Sequence, residues 1–350
     1  MSVFALILAG GLGTRLWPLT ANNTPKAFLS FDNSNLSLLQ RTIIRVEKVT
    51  SKEKIYISAG KNHKESLYQQ AQNLPENNII LEPLPKGTLA CIGLSSLYIK
   101  KQDSSAIIIS MPGEQLIKND KLFQKIMVLA VESAQKYNTI ITLGIKPSFP
   151  ATRFGYIHIG KKIFCRNDVE AFESLGFTEK PDEKKALEFF NSGVYLWNSG
   201  IYIFPVSLLF ELIHDLVPNV YNILSEIEGY IGTPNELEVI ERLYPKMPNI
   251  SIDYAIMEKY KNMLVIPADM DWNDMGTWVE VAETWNSDSN NNSYLGEYIN
   301  LDSDECIVYS PNIPVTTIGI QGLIIINTPN GLLVCPKDRI DDIKALIQKQ

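Results

Sequence analysis

Apolar and polar positions in the first half of the chain alternate between two periods. Short, nearly continuous apolar runs at 3–8, 54–58, 78–81, 106–110 and 140–143 are rich in Ile, Val and Leu. Strands covered on both faces have that pattern. Between them, 36–49, 63–74, 88–101 and 122–137 carry apolar residues at three- and four-residue spacing, which predicts helices with one packed face. Strand and helix in alternation predict an α/β fold built on a doubly wound, mostly parallel sheet. Such sheets bind ligands outside the carboxyl ends of their strands. The glycine-rich loop after residue 8, Glu82 and Glu114 all follow predicted strand ends, so they are expected to converge on one crevice.

The second half is less regular. A strand is expected over 194–204, with helices over 206–214 and 253–260, the latter with Asp253 as its cap. The polar, low-complexity run N-S-D-S-N-N-N-S at 286–293 is the expected domain boundary. Beyond it, 306–309, 315–318, 323–326 and 332–334 read as short strands, Asn330-Gly331 as a hairpin signal and 339–348 as a closing helix. The expected organisation is a domain over 1–288 and a small β-rich domain over 294–350.

Composition narrows the class. At 350 residues, 45% hydrophobic and 20% charged, the chain reads as a globular protein with a large core. No apolar run reaches the roughly 18–20 residues of a membrane helix, and no basic leader precedes the first strand. No membrane association and a cytoplasmic location are therefore expected. The cysteines, Cys91, Cys165, Cys306 and Cys335, are far apart and form no metal-ligand spacing. A net charge of −7 argues against a nucleic-acid partner. Anionic ligands would need a local cationic site.

The candidate for that site is the stretch from Leu8 to Thr20, L-A-G-G-L-G-T-R-L-W-P-L-T, closed by Pro25-Lys26. Gly10, Gly11 and Gly13 allow torsions and close approaches that a side chain would block. A loop leaving a strand in this way can turn its N–H groups toward phosphate oxygens. Arg15 and Lys26 add positive charge, and Arg can grip phosphate bidentately. On these residues alone, a tight strand-to-helix turn with two surface cations stays open. Two familiar phosphate motifs do not fit: Gly13 precedes Thr14-Arg15 rather than Lys-Ser/Thr, and Leu16 stands where a dinucleotide fingerprint needs Gly.

The string resembles the signature GGxGTRLxPLTxxxPK of sugar-nucleotide pyrophosphorylases, and its Leu-Trp-Pro form is most like mannose-1-phosphate guanylyltransferases. Further strings follow in the order of that family: Phe154-Gly155-Tyr156-Ile157, Phe177-Thr178-Glu179-Lys180-Pro181, Trp197-Asn198-Ser199-Gly200, S-I-D-Y-A-I-M-E-K at 251–259, and Asp271-Trp272-Asn273-Asp274-Met275-Gly276-Thr277-Trp278. The resemblance covers residue 5 to about residue 344. It implies a Rossmann-like nucleotidyltransferase with a β-helix-like C-terminal domain and without the phosphomannose isomerase domain of longer members. By the resemblance, Arg15 and Lys26 hold the triphosphate, while Gly10, Gly11, Gly13, Thr14, Glu82 and Gly87 surround the nucleotide. Lys180 binds the sugar 1-phosphate, and Gly155, Glu179 and Asn198 line the sugar pocket. Asp274 and Glu114 ligate Mg²⁺. A homodimer is also expected.

Three positions depart from the pattern. Gly87 stands where the family usually has Asn, Glu114 where it usually has Asp, and Gln115 where it usually has His. The expected activity is transfer of a guanylyl group from GTP to mannose 1-phosphate. The alternatives are the same chemistry on another hexose 1-phosphate or base, and a catalytically silent nucleotide-sugar-binding relative.

Overall fold

In the computed structural model, which describes residues 2–32 and 34–347, the first apolar run becomes a central strand, Val3–Leu8 (β1). Ala5, Leu6 and Ile7 have no exposed surface, because neighbours pair on both edges. Ile55–Gly60 (β2) and Ile107–Pro112 (β4) flank β1 in parallel, and Ile79–Glu82 (β3) extends the sheet beyond β2. Leu116–Ile117 (β5) and Trp272–Asn273 (β11) are two-residue strands. The remaining strands of the large sheet are Ile141–Ile145 (β6), Tyr156–Arg166 (β7), Val169–Thr178 (β8), Tyr195–Pro205 (β9) and Leu264–Pro267 (β10).

The nine strands are ordered β3-β2-β1-β4-β9-β6-β10-β8-β7. Only β8 and β9 run against the rest, so the sheet is mostly parallel, as the alternation predicts. The sequence pattern did not predict that β9 would lie antiparallel between β4 and β6. Nor did it predict that β7 would curl back to pair with β9.

The chain separates into two compact units. The first comprises Met1–Leu8, Ile43–Gly113 and Ile117–Trp272; the second comprises Ala9–Thr42, Glu114–Leu116 and Asn273–Gln350. In the first, the helix Gly87–Gln102 is apolar around most of its circumference and contributes ten buried residues, as a helix sandwiched inside a core must. It packs with Val206–Leu216, Pro218–Glu228 and Glu236–Leu243. Gly93 permits the closest approach, since a Cβ there would lie 2.7 Å from Leu224 Cδ1.

The second unit is built on Ser293–Leu301 (β12), Ile307–Ile318 (β13), Leu323–Thr328 (β14) and Gly331–Pro336 (β15). The first three are parallel and the last returns antiparallel. Its core contains Leu16, Phe31, Trp278, Tyr309, Ile324 and Ile340. Trp278 Nε1 donates to Trp17 O (3.0 Å) and Trp285 Nε1 to Phe31 O (2.7 Å), which ties the glycine-loop segment into this unit.

The polar run at 286–293 is an ordered network. Asn292 is fully buried, donating to Asp288 and Ser303 and accepting from Cys306 N. The closing segment is a 3₁₀ stretch, Lys337–Asp342, followed by a short helix, Ile343–Ile347; residue 348 of the expected helix lies outside the described residues. Among the described residues no helix is long and apolar enough to cross a membrane.

Candidate active site

The sequence-predicted residues fall into one group in each unit. In the second unit the glycine loop makes no long helix. It makes single 3₁₀ turns, Thr14–Leu16, Ala21–Asn23 and Lys26–Phe28, with Gly13 left-handed at φ 56°. That conformation suits glycine, and a Cβ there would lie 2.8 Å from Lys26 Cβ. Gly11 O accepts from Lys26 N at 2.9 Å, so the loop closes on the lysine. Gly10 and Thr14 are exposed at its rim.

Lys26 is 4% exposed. Its Nζ donates to Asp274 O (2.6 Å) and lies 4.0 Å from both Glu114 Oε1 and Asp274 Oδ2. Burial pushes the Glu114 carboxyl up; Lys26 opposes that shift and Asp274 reinforces it. Gly11 explains how the longer Glu114 arm fits: a Cβ on Gly11 would lie 2.8 Å from Glu114 Oε1. Two carboxylates on one ammonium suit Mg²⁺, which takes hard oxygen ligands and draws the rest from phosphates and water. Among the described residues no cluster of three or more acidic, His or Cys side chains could complete a metal site by itself. Arg15 Nε lies 2.8 Å from Asp341 Oδ1, an ion pair between a partly buried guanidinium and an exposed carboxylate, a partner the motif did not reveal.

In the first unit, strand register assembles the second group. Tyr156 pairs with Thr178 on one side and Trp197 on the other. The residues just beyond, Gly155, Glu179 and Asn198, therefore meet. Asn198 N donates to Gly155 O at 2.8 Å, and a Cβ on Gly155 would lie 2.5 Å from Glu179 Oε2. Glu179 is 7% exposed, and its Oε2 has no hydrogen-bond partner among the described residues. Its Oε1 pairs with Lys180, which is half-exposed and left-handed at φ 47°. Burial works against the Lys180 ammonium, but Glu179 and Asp253 outweigh it and raise its pKa. Burial, then Asp253, raises the Glu179 carboxyl, and Lys180 opposes them.

The segment following Ile250 holds these parts. The expected helix at 253–260 is instead a π turn, Asp253–Met257, closed by Glu258 N to Asp253 O at 3.0 Å. Asp253 does not cap it; its Oδ1 accepts from Tyr202 Oη and from Asn198 Nδ2 (3.1 Å). The wider turn lets Asp253 reach Asn198 while Glu258 Oε1 accepts from Glu179 N (2.8 Å). Sequence reasoning missed Tyr202, Asp253 and Glu258 as site residues. The string containing Asp253 and Glu258 was visible, but its helical pattern concealed the turn.

Glu82 and Gly87 sit at the other end of this segment. Glu82 is buried, accepting from Tyr244 Oη (2.5 Å) and Ser58 Oγ (3.3 Å). Burial raises its pKa against those hydrogen bonds. Gly87 has φ 75°, and a Cβ there would lie 2.5 Å from Ile250 O. Leu89 N donates to that same oxygen and Thr88 Oγ1 accepts from Ile252 N, so Ile250–Ile252 is pressed onto the helix start. Gly87→Asn, which installs the usual residue of the resembling motif, should therefore destabilise by about 2 kcal/mol, because backbone meets Cβ even though Asn tolerates the torsion. Thermal melting checks this, and an unchanged midpoint would show that Ile250 yields freely.

The nucleotidyl transferase family description matches residues 4–291, and the MannoseP isomerase/GMP-like beta-helix domain matches residues 296–349. A curated mannose-1-phosphate guanylyltransferase of Escherichia coli is 33% identical over 98% of this chain and 74% of its own length. The chain belongs to that family. A mannose-1-phosphate guanylyltransferase of Salmonella montevideo is 32% identical over 98% of this chain and 73% of its own length. A crystal structure titled mannose-1-phosphate geranyltransferase, from Thermus thermophilus, superimposes with TM-score 0.88 at 27% identity, covering 100% of this chain and 99% of that one. Family membership makes the chain an enzyme of the nucleotidyltransferase class with a C-terminal β domain.

Proposed function

We propose that the chain joins mannose 1-phosphate to GTP, giving GDP-mannose and pyrophosphate. The observation that carries this reading is the meeting of Gly155, Glu179, Lys180 and Asn198 by strand register in a member of this family. One cation beside several hydrogen-bond acceptors suits a ligand with one phosphate and many hydroxyls.

In the proposed reaction a phosphate oxygen of the sugar phosphate attacks the α-phosphorus of GTP in line. The new P–O bond forms as the bond to the β-phosphate oxygen breaks, and pyrophosphate leaves with that electron pair. Such a transfer needs positioning and charge neutralisation rather than covalent work by the protein. Lys180 would aim the sugar phosphate, with Glu179 and Asn198 ordering the sugar's surroundings. Arg15, Lys26 and the N–H groups of residues 10–14 would hold the triphosphate. Glu114 and Asp274 would hold Mg²⁺, whose chemistry is neutralisation of phosphate charge. Glu82 and Gly87 would shape the nucleotide side of the first unit. The proposed division is a catalytic stretch, 1–288, and a small β-rich stretch, 294–350; family matches over 4–291 and 296–349 support it.

Pyrophosphate release over GTP, ATP, UTP and dTTP, each with mannose, glucose and galactose 1-phosphates, tests the reading. GTP with mannose 1-phosphate should be the best pair. A better pair would change the assigned specificity, and no release with any pair would favour the silent relative.

A further inference from the structure

The structure assigns Asp253, which the sequence offers only as a helix cap, to the sugar side of the reaction. We propose that Asp253 Oδ2 accepts a hydrogen bond from a sugar hydroxyl, while Tyr202 and Asn198 hold Oδ1 and so fix the carboxylate's direction. This rests on the proposed transfer to a sugar 1-phosphate and names a specificity residue within it.

The argument begins with Asn198, whose amide is already fully engaged. Its Nδ2 donates to Tyr202 Oη (2.7 Å) and Asp253 Oδ1 (3.1 Å), and its Oδ1 accepts from Gly200 N (3.1 Å) and Thr142 Oγ1 (3.3 Å). An amide offers two donors and two acceptor positions, so a ligand hydroxyl could bond to it only by displacing a partner. Asn198 is thus suited to orienting a neighbour. That neighbour is Asp253, whose Oδ1 takes both Asn198 and the buried Tyr202 hydroxyl. Among the described residues, its Oδ2 accepts no hydrogen bond. Two donors on one carboxylate oxygen leave the other as an oriented acceptor.

A second observation points to a ligand. Glu179, more than nine-tenths buried, carries the partnerless Oε2, aimed at the bare α-carbon of Gly155. A buried acceptor without a donor costs free energy unless something arrives to satisfy it. Asp253 is close enough to raise the Glu179 carboxyl, with Lys180 the nearby cation. Two unfilled carboxylate oxygens beside one lysine match adjacent hydroxyls next to a phosphate. The π turn makes this arrangement possible, because it turns Asp253 toward Asn198 while Glu258 secures the Glu179 backbone. Such turns recur at functional sites.

The test is a matrix of kcat/KM for GTP with mannose 1-phosphate and its 2-, 3-, 4- and 6-deoxy analogues, on the wild-type chain, Asp253→Ala and Tyr202→Phe. For the wild type, one deoxy analogue should lose roughly a hundredfold, as a site built to bond a hydroxyl rejects its absence. On Asp253→Ala that analogue should fare almost as well as mannose 1-phosphate, because the two deletions remove the same bond. Tyr202→Phe should lower every substrate similarly and keep the wild-type order, as expected of a positioning residue. If Asp253→Ala lowers all five substrates by one factor and keeps the wild-type order, Asp253 is structural and the proposal falls. Should Asp253→Ala melt far below the wild type, Asp253→Asn carries the same matrix. Its amide keeps the shape but presents the hydroxyl a neutral group, and the same two outcomes decide. The wild-type row alone tests the underlying reading. If another hexose 1-phosphate is the better substrate, the deoxy series is built on that sugar and Asp253 is judged there. If the wild type uses no sugar phosphate, reading and proposal fall together.

Discussion

Lys26→Met should lower kcat/KM by roughly two orders of magnitude or more, about 3 kcal/mol of transition-state stabilisation. Lys26 is buried, and its Nζ stands 4.0 Å from a carboxylate oxygen of each of Glu114 and Asp274 while donating to Asp274 O. Removing one partner of a buried charge group leaves the others uncompensated, which costs more than the pair contributed. The Glu114 carboxyl, already raised by burial, loses the one neighbour that lowers it, so more of it would be protonated and its hold on a cation would weaken. Lys26→Arg should fail as well. The fork is larger than an ammonium, and the lysine stem already fills the space that Gly13 leaves free. Pyrophosphate release as a function of Mg²⁺ checks this. The expected result is a lower rate with a higher Mg²⁺ requirement, whereas wild-type kinetics for Lys26→Met would remove the ammonium from the reaction.

Much of the fold was legible because burial on both faces leaves a continuous apolar run. Val3–Leu8 and Ile107–Pro112 could hardly be read otherwise. The strands Tyr156–Arg166 and Val169–Thr178 went unread because register shifts interrupt their pairing and their faces mix burial with exposure. A period-2 pattern cannot survive bulges. The insertion of Tyr195–Pro205 antiparallel between two strands of opposite direction has no local signature. It is decided by which edges remain to be paired. The run at 286–293 reads as a domain boundary from its polar composition, yet it is an ordered network whose buried Asn292 is satisfied at both ends of the amide.

The candidate site was legible in residue types rather than in partners. Glycines, Lys26, Glu179 and Lys180 could be picked out because phosphate and hydroxyl ligands demand those groups. Who holds them could not be. That Asp341 pairs with Arg15, or Tyr202 with Asp253, depends on contacts between residues tens to hundreds of positions apart. The same holds for Gly87. In the sequence it looks like a lost amide, while in the fold it is the one residue whose lack of a Cβ admits Ile250 against the helix start.

Glu114→Ala should lower turnover by roughly two orders of magnitude or more, as expected when a group steadying phosphoryl charge is removed. Asp274→Ala should resemble it, and the double variant should be little worse than either single, because both would act through one ion. The fold adds a sharper expectation, which concerns Gly11. A Cβ there would stand 2.8 Å from Glu114 Oε1, the far end of a flexible side chain. Gly11→Ala should therefore leave the melting temperature nearly unchanged while displacing the carboxylate and lowering activity. Glu114→Asp, by contrast, draws the carboxylate back by one carbon–carbon bond, about 1.5 Å, and by itself should retain activity. In that background the added methyl of Gly11→Ala no longer meets an oxygen. The double variant should then be at least about tenfold more active than Gly11→Ala alone, a coupling of ~1.4 kcal/mol. Additive effects would mean that Gly11 serves only the turn, and that the longer arm of Glu114 owes nothing to the bare α-carbon it rests against.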